Sequence, residues 1–241
     1  MSKDQLGSRM KNNYENRNKT FLTRRTPVII RIDGKAFHSF TKRMERPFDD
    51  ILIKTMQETT KFLCENIEGC KFGYTQSDEI SLLLTDYDKL TTEAWFDYSV
   101  QKICSVSTSM TTLAFNKFFI NNNEGKYADK NMTAMFDSRC FNIPKEEVVN
   151  YFIWRQQDAT RNSIQMAGQA NFSHKELHCK STNDIQEMLF QQKNINWNEY
   201  FVYKKRGSSV VKTLVDNRTK WFVDLENPIF SQERDYIEKY I

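Results

Sequence analysis

An α+β fold is expected for this chain: a ferredoxin-like sheet with helices on one face and a small C-terminal accessory region. Three observations point to it. A β-branched run ends in a tight turn, an amphipathic helical segment follows, and two short strand-like runs come next around a polar pair. In PVIIRIDGKAF, Val28, Ile29, Ile30 and Ile32 form a buried strand that stops at Asp33-Gly34. From Phe48 onward, Ile51, Leu52, Met56, Thr59, Phe62, Leu63 and Ile67 recur at helical spacing, and Gly69 closes the segment. CKFGYTQ and EISLLLT are then two strands joined through Ser77-Asp78, a pair suited to a hairpin turn.

A long helix is expected from about Thr92 to Phe119, with Phe96, Val100, Ile103, Met110, Leu113 and Phe118 on one face. The stretch NNNEGKYADKN reads as a loop, MTAMFDSRCFNI as a strand, and KEEVVNYFIWRQQDATRNSIQ after Pro144 as a helix. Ser173 and Glu176 have capping-box spacing, which opens a further short helix. Beyond Trp197, YFVYKK, SSVVKTLV and RTKWFVDL read as a hairpin with an added strand. The expected division is residues 1–170 as the main domain, with a polar N-terminal extension, and 171–241 as the accessory region.

The length of 241 residues is ample for a hydrophobic core, and 39% apolar with 27% charged residues is a globular balance. Only 7 Gly and 4 Pro exclude long flexible linkers. Net charge is 35 − 31 = +4, which permits a polyanionic partner without requiring one. Five scattered cysteines with no CxxC pair read as reduced thiols. No secretory signal or membrane-spanning run is visible, so a cytoplasmic location is expected.

Asp33 ends one strand and Asp78 sits in a turn, and in a ferredoxin-like sheet those strands are central neighbours, so their carboxylates can converge. Two carboxylates with the Gly34 carbonyl beside them suit Mg²⁺, and two such ions would serve phosphoryl transfer. Both dipeptides also fit ordinary turns, where Asp, Ser and Gly abound. What tips the balance is a buried strand delivering a carboxylate at its end, followed by KAFH, whose backbone amides could meet a triphosphate. His174 and His178 lie four apart beside Cys179, but the zincin spacing is absent and no third ligand stands out.

RIDGKAFHSF and YTQSDEISLLL resemble the two metal-site motifs of the histidine-tRNA guanylyltransferases and their relatives, the reverse (3′-to-5′) polymerases. The likeness extends to Arg46-Pro47 with Asp49, to Trp95-Phe96 with Lys102, to FDSR at Phe136 to Arg139, and to WRQQD at Trp154 to Asp158. It covers roughly residues 28 to 160, and Tyr203 to Ser208 is similar to a later basic motif. The resemblance implies a catalytic domain like the palm of ordinary polymerases and two Mg²⁺ ions per site, held by Asp33, Asp78 and the Gly34 carbonyl. It implies catalytic roles for Asp33, Asp78 and Glu79, with Ser77 on the activating nucleotide. Lys35, Ala36, Phe37 and His38 would cradle the triphosphate, while Arg46, Lys102 and Asn162 would contact nucleotide. Arg46 stands where the family usually has lysine, and its guanidinium can fork two bonds to phosphate. Lys204, Lys205 and Arg206 are the candidates for RNA phosphates.

After WRQQD the guanylyltransferases proper carry His-Ile-Asn-x-Leu-Tyr-Asn, whereas this chain reads Thr160, Arg161, Asn162, Ser163, Ile164, Gln165, Met166. Only Asn162 survives. That loss is typical of the guanylyltransferase-like branch, which repairs tRNA lacking 5′ nucleotides by templated addition after ATP or GTP activates a 5′-monophosphate. Expected partners are therefore tRNA, ATP or GTP, the incoming NTP and, as a homotetramer built as a dimer of dimers, further copies of the chain. The alternatives are a dedicated enzyme that adds a single guanosine to histidine tRNA, a nucleotidyl cyclase or forward polymerase sharing the two-carboxylate palm, and a non-catalytic tRNA-binding protein.

Overall fold

The computed structural model describes residues 5–127, 133–215 and 218–241. In chain order the elements are α1 (Gln5–Asn13), β1 (Val28–Gly34), α2 (Phe37–Phe40), α3 (Asp50–Asn66), β2 (Cys70–Gln76), β3 (Glu79–Leu84), α4 (Val100–Asn122) and β4 (Phe136–Asn142). There follow α5 (Val148–Asn171), α6 (His174–Leu177), α7 (Thr182–Lys193), α8 (Val202–Arg206), β5 (Ser208–Val215), β6 (Arg218–Asp224) and α9 (Asp235–Glu238), with short 3₁₀ turns between. The strands form one sheet in the order β4-β1-β3-β2-β5-β6, every neighbour antiparallel. Its first four strands with α3 and α4 make the expected β-α-β-β-α-β unit.

Side-chain alternation in β1 explains both layers. Val28, Ile30 and Ile32 point to α3 and α4, where they join Ile80, Leu82, Leu84, Leu63 and Phe115 in the larger core. Ile29 points the other way and meets Leu83, Phe72 and Tyr74 beneath Val148, Val149 and Phe152 of α5. The two crossover helices thus share one face, and the opposite face is covered by the first half of α5 and the C-terminal residues Phe230 and Ile237.

Asp49 caps α3, accepting from the Leu52 amide at 3.0 Å. On its inner face small polar residues stand among the apolar Met56, Leu63 and Cys64. Thr55, Thr59 and Thr60 are buried there and donate their hydroxyls to the carbonyls of Ile51, Thr55 and Met56. Opposite them Gly73 of β2 has no room for a side chain: a Cβ would stand 2.6 Å from Cys64 Sγ.

Three sequence expectations change. YFVYKK is not a strand, since Val202–Arg206 is the helix α8. The chain reaches the edge of β2 only after Gly207, whose positive φ and close approach to the Thr75 carbonyl leave no space for a Cβ. The long helix starts at Val100 rather than Thr92, because Phe96, Asp97 and Tyr98 hold left-handed φ values of 51–55°. Arg24 clamps that turn through Asp97, Asp86 and the Thr92 carbonyl. The β4 strand starts only at Phe136, because Asn116 of α4 takes both backbone groups of Ala134. Of the loop expected over 121–131, Asn122 ends α4, 123–127 form turns, and 128–131 lie outside the described residues.

Residues beyond 170 divide between two places. β5 pairs with β2 through Gly73↔Val210, Tyr74↔Ser209 and Thr75↔Ser208, so the last strands continue the same sheet. Phe172, Ile185, Leu189 and Trp197 instead pack with Ile164 and Ala167 of α5 in a small separate core.

Phe72 joins the sheet to the C-terminal segment, its ring 4.9 Å from that of Phe152, 6.3 Å from Phe230 and 5.5 Å from Tyr240. Phe72→Ala is expected to lower the unfolding free energy by about 3–5 kcal/mol, read as a lower urea midpoint at unchanged slope.

Candidate active site

The β1–β3 register sets Asp33 directly across from Glu79, and the two-residue connection before β3 carries Ser77 and Asp78. Ser77 takes a left-handed φ of 51°, which makes so short a turn possible. The Gly34 amide donates to the Asp78 carbonyl at 3.1 Å, so the two strand ends are tied together and the acids meet at one corner of the sheet. Gly34 admits no side chain there, since a Cβ would stand 2.2 Å from the Phe37 ring.

Asp78 is half-buried, and burial pushes its carboxyl above the usual range. The Ser77 hydroxyl, donating at 3.0 Å, opposes that rise, and the charge of Asp33 adds to it. Among the described residues no lysine, arginine or histidine lies within ion-pair distance of either aspartate. Arg139, paired with Asp137 across from Asp33, acts on Asp33 only at longer range, and two converging carboxylates with no direct ion pair fit a hard divalent cation. No group of three or more His, Cys, Asp or Glu side chains among the described residues could hold one alone. Water, the Gly34 carbonyl and a bound phosphate would complete the shell.

Glu79, expected to act beside the aspartates, has one carboxylate oxygen hydrogen-bonded and the other in an ion pair without hydrogen-bond alignment. Arg31 Nη2 donates to Oε2 at 2.6 Å, and Arg155 Nε pairs with Oε1 at 2.8 Å. Burial raises its carboxyl, and Arg155 and then Arg31 oppose the rise. Its geometry is that of a buried ion-pair partner rather than of an open ligand.

The segment 35–38 turns sharply at Ala36, which has a left-handed φ of 53°. Lys35 donates its amide to the Met135 carbonyl at 2.8 Å, so that donor is engaged within the fold. The amides of Phe37 and His38 open α2, where a helix has no internal acceptor for them. The Phe37 ring itself is core, 5.3 Å from Phe136 and 5.6 Å from Phe115. His38 is exposed beside Ser39.

Arg46, Ser77, Asn162 and Lys204 are brought together. They line two adjoining clefts that share Asp49, Leu52, Ser77 and Met166. One cleft has an apolar wall of Phe48, Leu52, Ile53, Ala159 and Met166, and its rim carries Tyr203 and Lys204. The other is bounded by Thr41, Arg46 and Gln169. Asp49 braces both, taking hydrogen bonds from the amides of Leu52 and Glu45 and from the Tyr127 hydroxyl.

The remaining expected residues lie elsewhere or face inward. Lys102 stands on the first turn of α4, its ammonium 5.6 Å from the Phe96 ring, at the sheet end where β1 begins and opposite to Asp33. Lys205 packs 5.5 Å over Trp197 and donates to the Asn198 carbonyl at 2.6 Å. Burial lowers its pKa, and Arg206 lowers it further. Lys204 pairs with Asp50 at 2.7 Å.

Sequence reasoning gave no role to Asp137 and Arg139, although FDSR drew notice. Asp137 is the β4 partner of Asp33, and Arg139 bonds it at 2.8 Å with both side chains well exposed. The apolar wall of the cleft carries no local signal in the sequence, because α3 and α5 supply two of its residues each and Phe48 stands just before α3.

The family model for tRNAHis guanylyltransferase (Thg1) matches residues 7–144. A solved bacterial tRNA(His) guanylyltransferase (Thg1)-like protein in complex with ATP is 50% identical, with a TM-score of 0.90 and 98% of each chain covered. A second, in complex with GTP, is 45% identical with a TM-score of 0.85, covering 98% of this chain and 99% of its own. The tRNA(His) guanylyltransferase of Debaryomyces hansenii is 28% identical over 207 residues, which is 80% of this chain and 76% of that protein.

Asp49→Ala removes a helix cap and unpairs the Glu45 amide. It is expected to lower stability by about 2 kcal/mol and to weaken nucleotide binding through the Arg46 loop. Thermal melting and calorimetric titration with ATP measure the two effects.

Proposed function

The chain belongs to the tRNAHis guanylyltransferase family and is a nucleotidyltransferase, and from that premise we propose that it adds nucleotides, template by template, to the 5′ end of truncated tRNA. The observation that carries this reading is the Asp33–Asp78 pair, neither acid in a direct ion pair among the described residues, standing beside the Ser77 cleft. The ATP- and GTP-bound relatives support a purine nucleotide as the occupant of that cleft. Residues 160–166 support repair of truncated ends over the dedicated addition of one guanosine, because of the His-containing signature only Asn162 is kept, and Met166 lines the cleft where the guanylyltransferases proper have the signature's last asparagine.

The chain's own groups divide the work as follows. The apolar wall from Phe48 to Met166 receives the base and excludes water from it. Arg46 forks toward phosphate oxygens, and the Ser77 hydroxyl marks the border between nucleotide and aspartates. Asp33, Asp78 and the Gly34 carbonyl would hold Mg²⁺, two ions by our reading, and enzymes of this family generally use divalent metals. When bound, such ions stabilise the attacking and leaving oxygens of phosphoryl transfer. A 5′-monophosphate attacks the α-phosphate of ATP or GTP and releases pyrophosphate. The 3′-hydroxyl of an incoming NTP then attacks the activated 5′ phosphate and releases AMP or GMP. A 5′-triphosphate end needs no activation and loses pyrophosphate, while the opposite strand supplies the template.

The same proposal includes a homotetramer, a dimer of dimers, acting in the cytoplasm. No described helix is long and apolar enough to cross a membrane.

The test is a tRNA lacking its first nucleotide, 5′-labelled as monophosphate or triphosphate, incubated with Mg²⁺ and all four NTPs and sized afterwards. Growth at the 5′ end that matches the template is expected, and chelation of the metal should stop it. Growth at the 3′ end, or addition of guanosine alone whatever the template, would overturn the reading. Asp33→Ala and Asp78→Ala should each reduce addition to background. Because each removes one of two repelling carboxylates, the melting temperature of the metal-free variant should hold or rise.

A further inference from the structure

Beneath the aspartate pair lies a buried charge cluster that neither binds the nucleotide nor fills the core. Arg155 of α5 has 3% of its side chain exposed and Glu79 of β3 has 6%. Arg155 Nε pairs with Glu79 Oε1 at 2.8 Å, and its Nη2 bonds Asp158 Oδ2 at 2.6 Å. Arg31 takes the other Glu79 oxygen at 2.6 Å. Asp158 in turn bonds Arg161 and approaches the Asn162 amide at 3.5 Å, and Asn162 lines the nucleotide cleft. The Trp154 ring, half exposed, lies 4.1 Å from the Arg155 guanidinium and 5.7 Å from that of Arg31.

We infer that Arg155 is a positioning residue that fixes the Asp33–Asp78 pair against the cleft wall, acting through Glu79 on one side and Asp158 on the other. Four points argue for it. Glu79 follows Asp78 directly and is the register partner of Asp33, so the place of its carboxylate determines how the strand end and the turn present both aspartates. Burying a charge cluster costs desolvation that apolar residues of the same volume avoid, so packing alone gives no reason for it. The Arg155 guanidinium hydrogen-bonds Asp158 and lies in ion-pair contact with Glu79, so one rigid planar group links the two carboxylates as a flexible lysine ammonium cannot. Arg155 is also the only described residue that pairs with an acid on β3 and an acid on α5. The inference rests on the reading of Asp33 and Asp78 as the metal-holding pair.

The experiment compares wild type, Arg155→Lys, Glu79→Gln and the double variant. Mn²⁺ binding is followed by electron paramagnetic resonance, 5′ addition by steady-state kinetics, and folding by thermal melting. In folded Arg155→Lys, Mn²⁺ affinity and kcat should each fall by about 10–100-fold, with KM for the incoming nucleotide unchanged. Glu79→Gln should show the same pattern, and the double variant no further loss, because the two residues act as one unit. Unchanged Mn²⁺ affinity and kcat in folded Arg155→Lys overturn the inference, as does a double variant whose losses multiply. Should Arg155→Lys not fold, Glu79→Gln decides: retained metal affinity and kcat in it overturn the inference, and their joint fall supports it. A wild-type chain that binds no Mn²⁺ and extends no 5′ end overturns the metal reading itself. A wild type that does both beside an equally active Arg155→Lys overturns the positioning role alone.

Discussion

The pairing of β1 with β3 is the constraint on which the rest of the molecule depends. Because side chains alternate along a strand, one register decides at once which residues reach the larger core, which meet α5, and where Asp33 ends. A slip of one residue would turn Ile30 and Ile32 toward α5 and Arg31 toward the apolar face of α3 and α4. That face, fully buried and free of charge, has no partner for a guanidinium. The hydrophobic pattern that folds the sheet therefore also aims the acids.

The larger layout was legible because it rests on local signals. The β-branched run of β1, the periodic face of α3 and the Ser77-Asp78 turn each declare themselves over a few residues. That Asp33, Gly34, Ser77 and Asp78 stand together at the ends of those elements follows from the same local signals. The groups that misled are set by long-range partners. Lys102 belongs to a helix whose start is delayed by the Arg24 clamp, 78 residues upstream of it. Lys205 is drawn inward by Trp197, and Glu79 is claimed by Arg155, 76 residues later. YFVYKK alternates like a strand, yet has no neighbour to pair with until Gly207 lets the chain approach β2.

The clefts and the aspartate pair are built by different means, which matters for what each can do. The aspartates sit on strand ends tied by backbone hydrogen bonds, a rigid support for groups that must keep their distance. The cleft draws its walls from α3 and α5 and its rim from α8, held by side-chain contacts and by Asp49, and so can adjust more readily than the strand ends. Burial, with a smaller contribution from the charge of Asp33, raises the Asp78 carboxyl, and the Ser77 hydroxyl offsets part of that rise.

The packing of Phe72 against Phe230 and Tyr240 has a consequence for how the chain is made. The partners of one ring are 158 residues apart, from Phe72 to Phe230. At roughly 5–20 residues per second of synthesis, β2 waits about 10–30 s for the segment that covers it. During that interval the α3 side of the sheet can close while the opposite side, with Phe72 and Tyr74, stays open to water or to a chaperone. The half of the fold that carries Asp33 and Asp78 is thus complete in sequence long before its back is sealed.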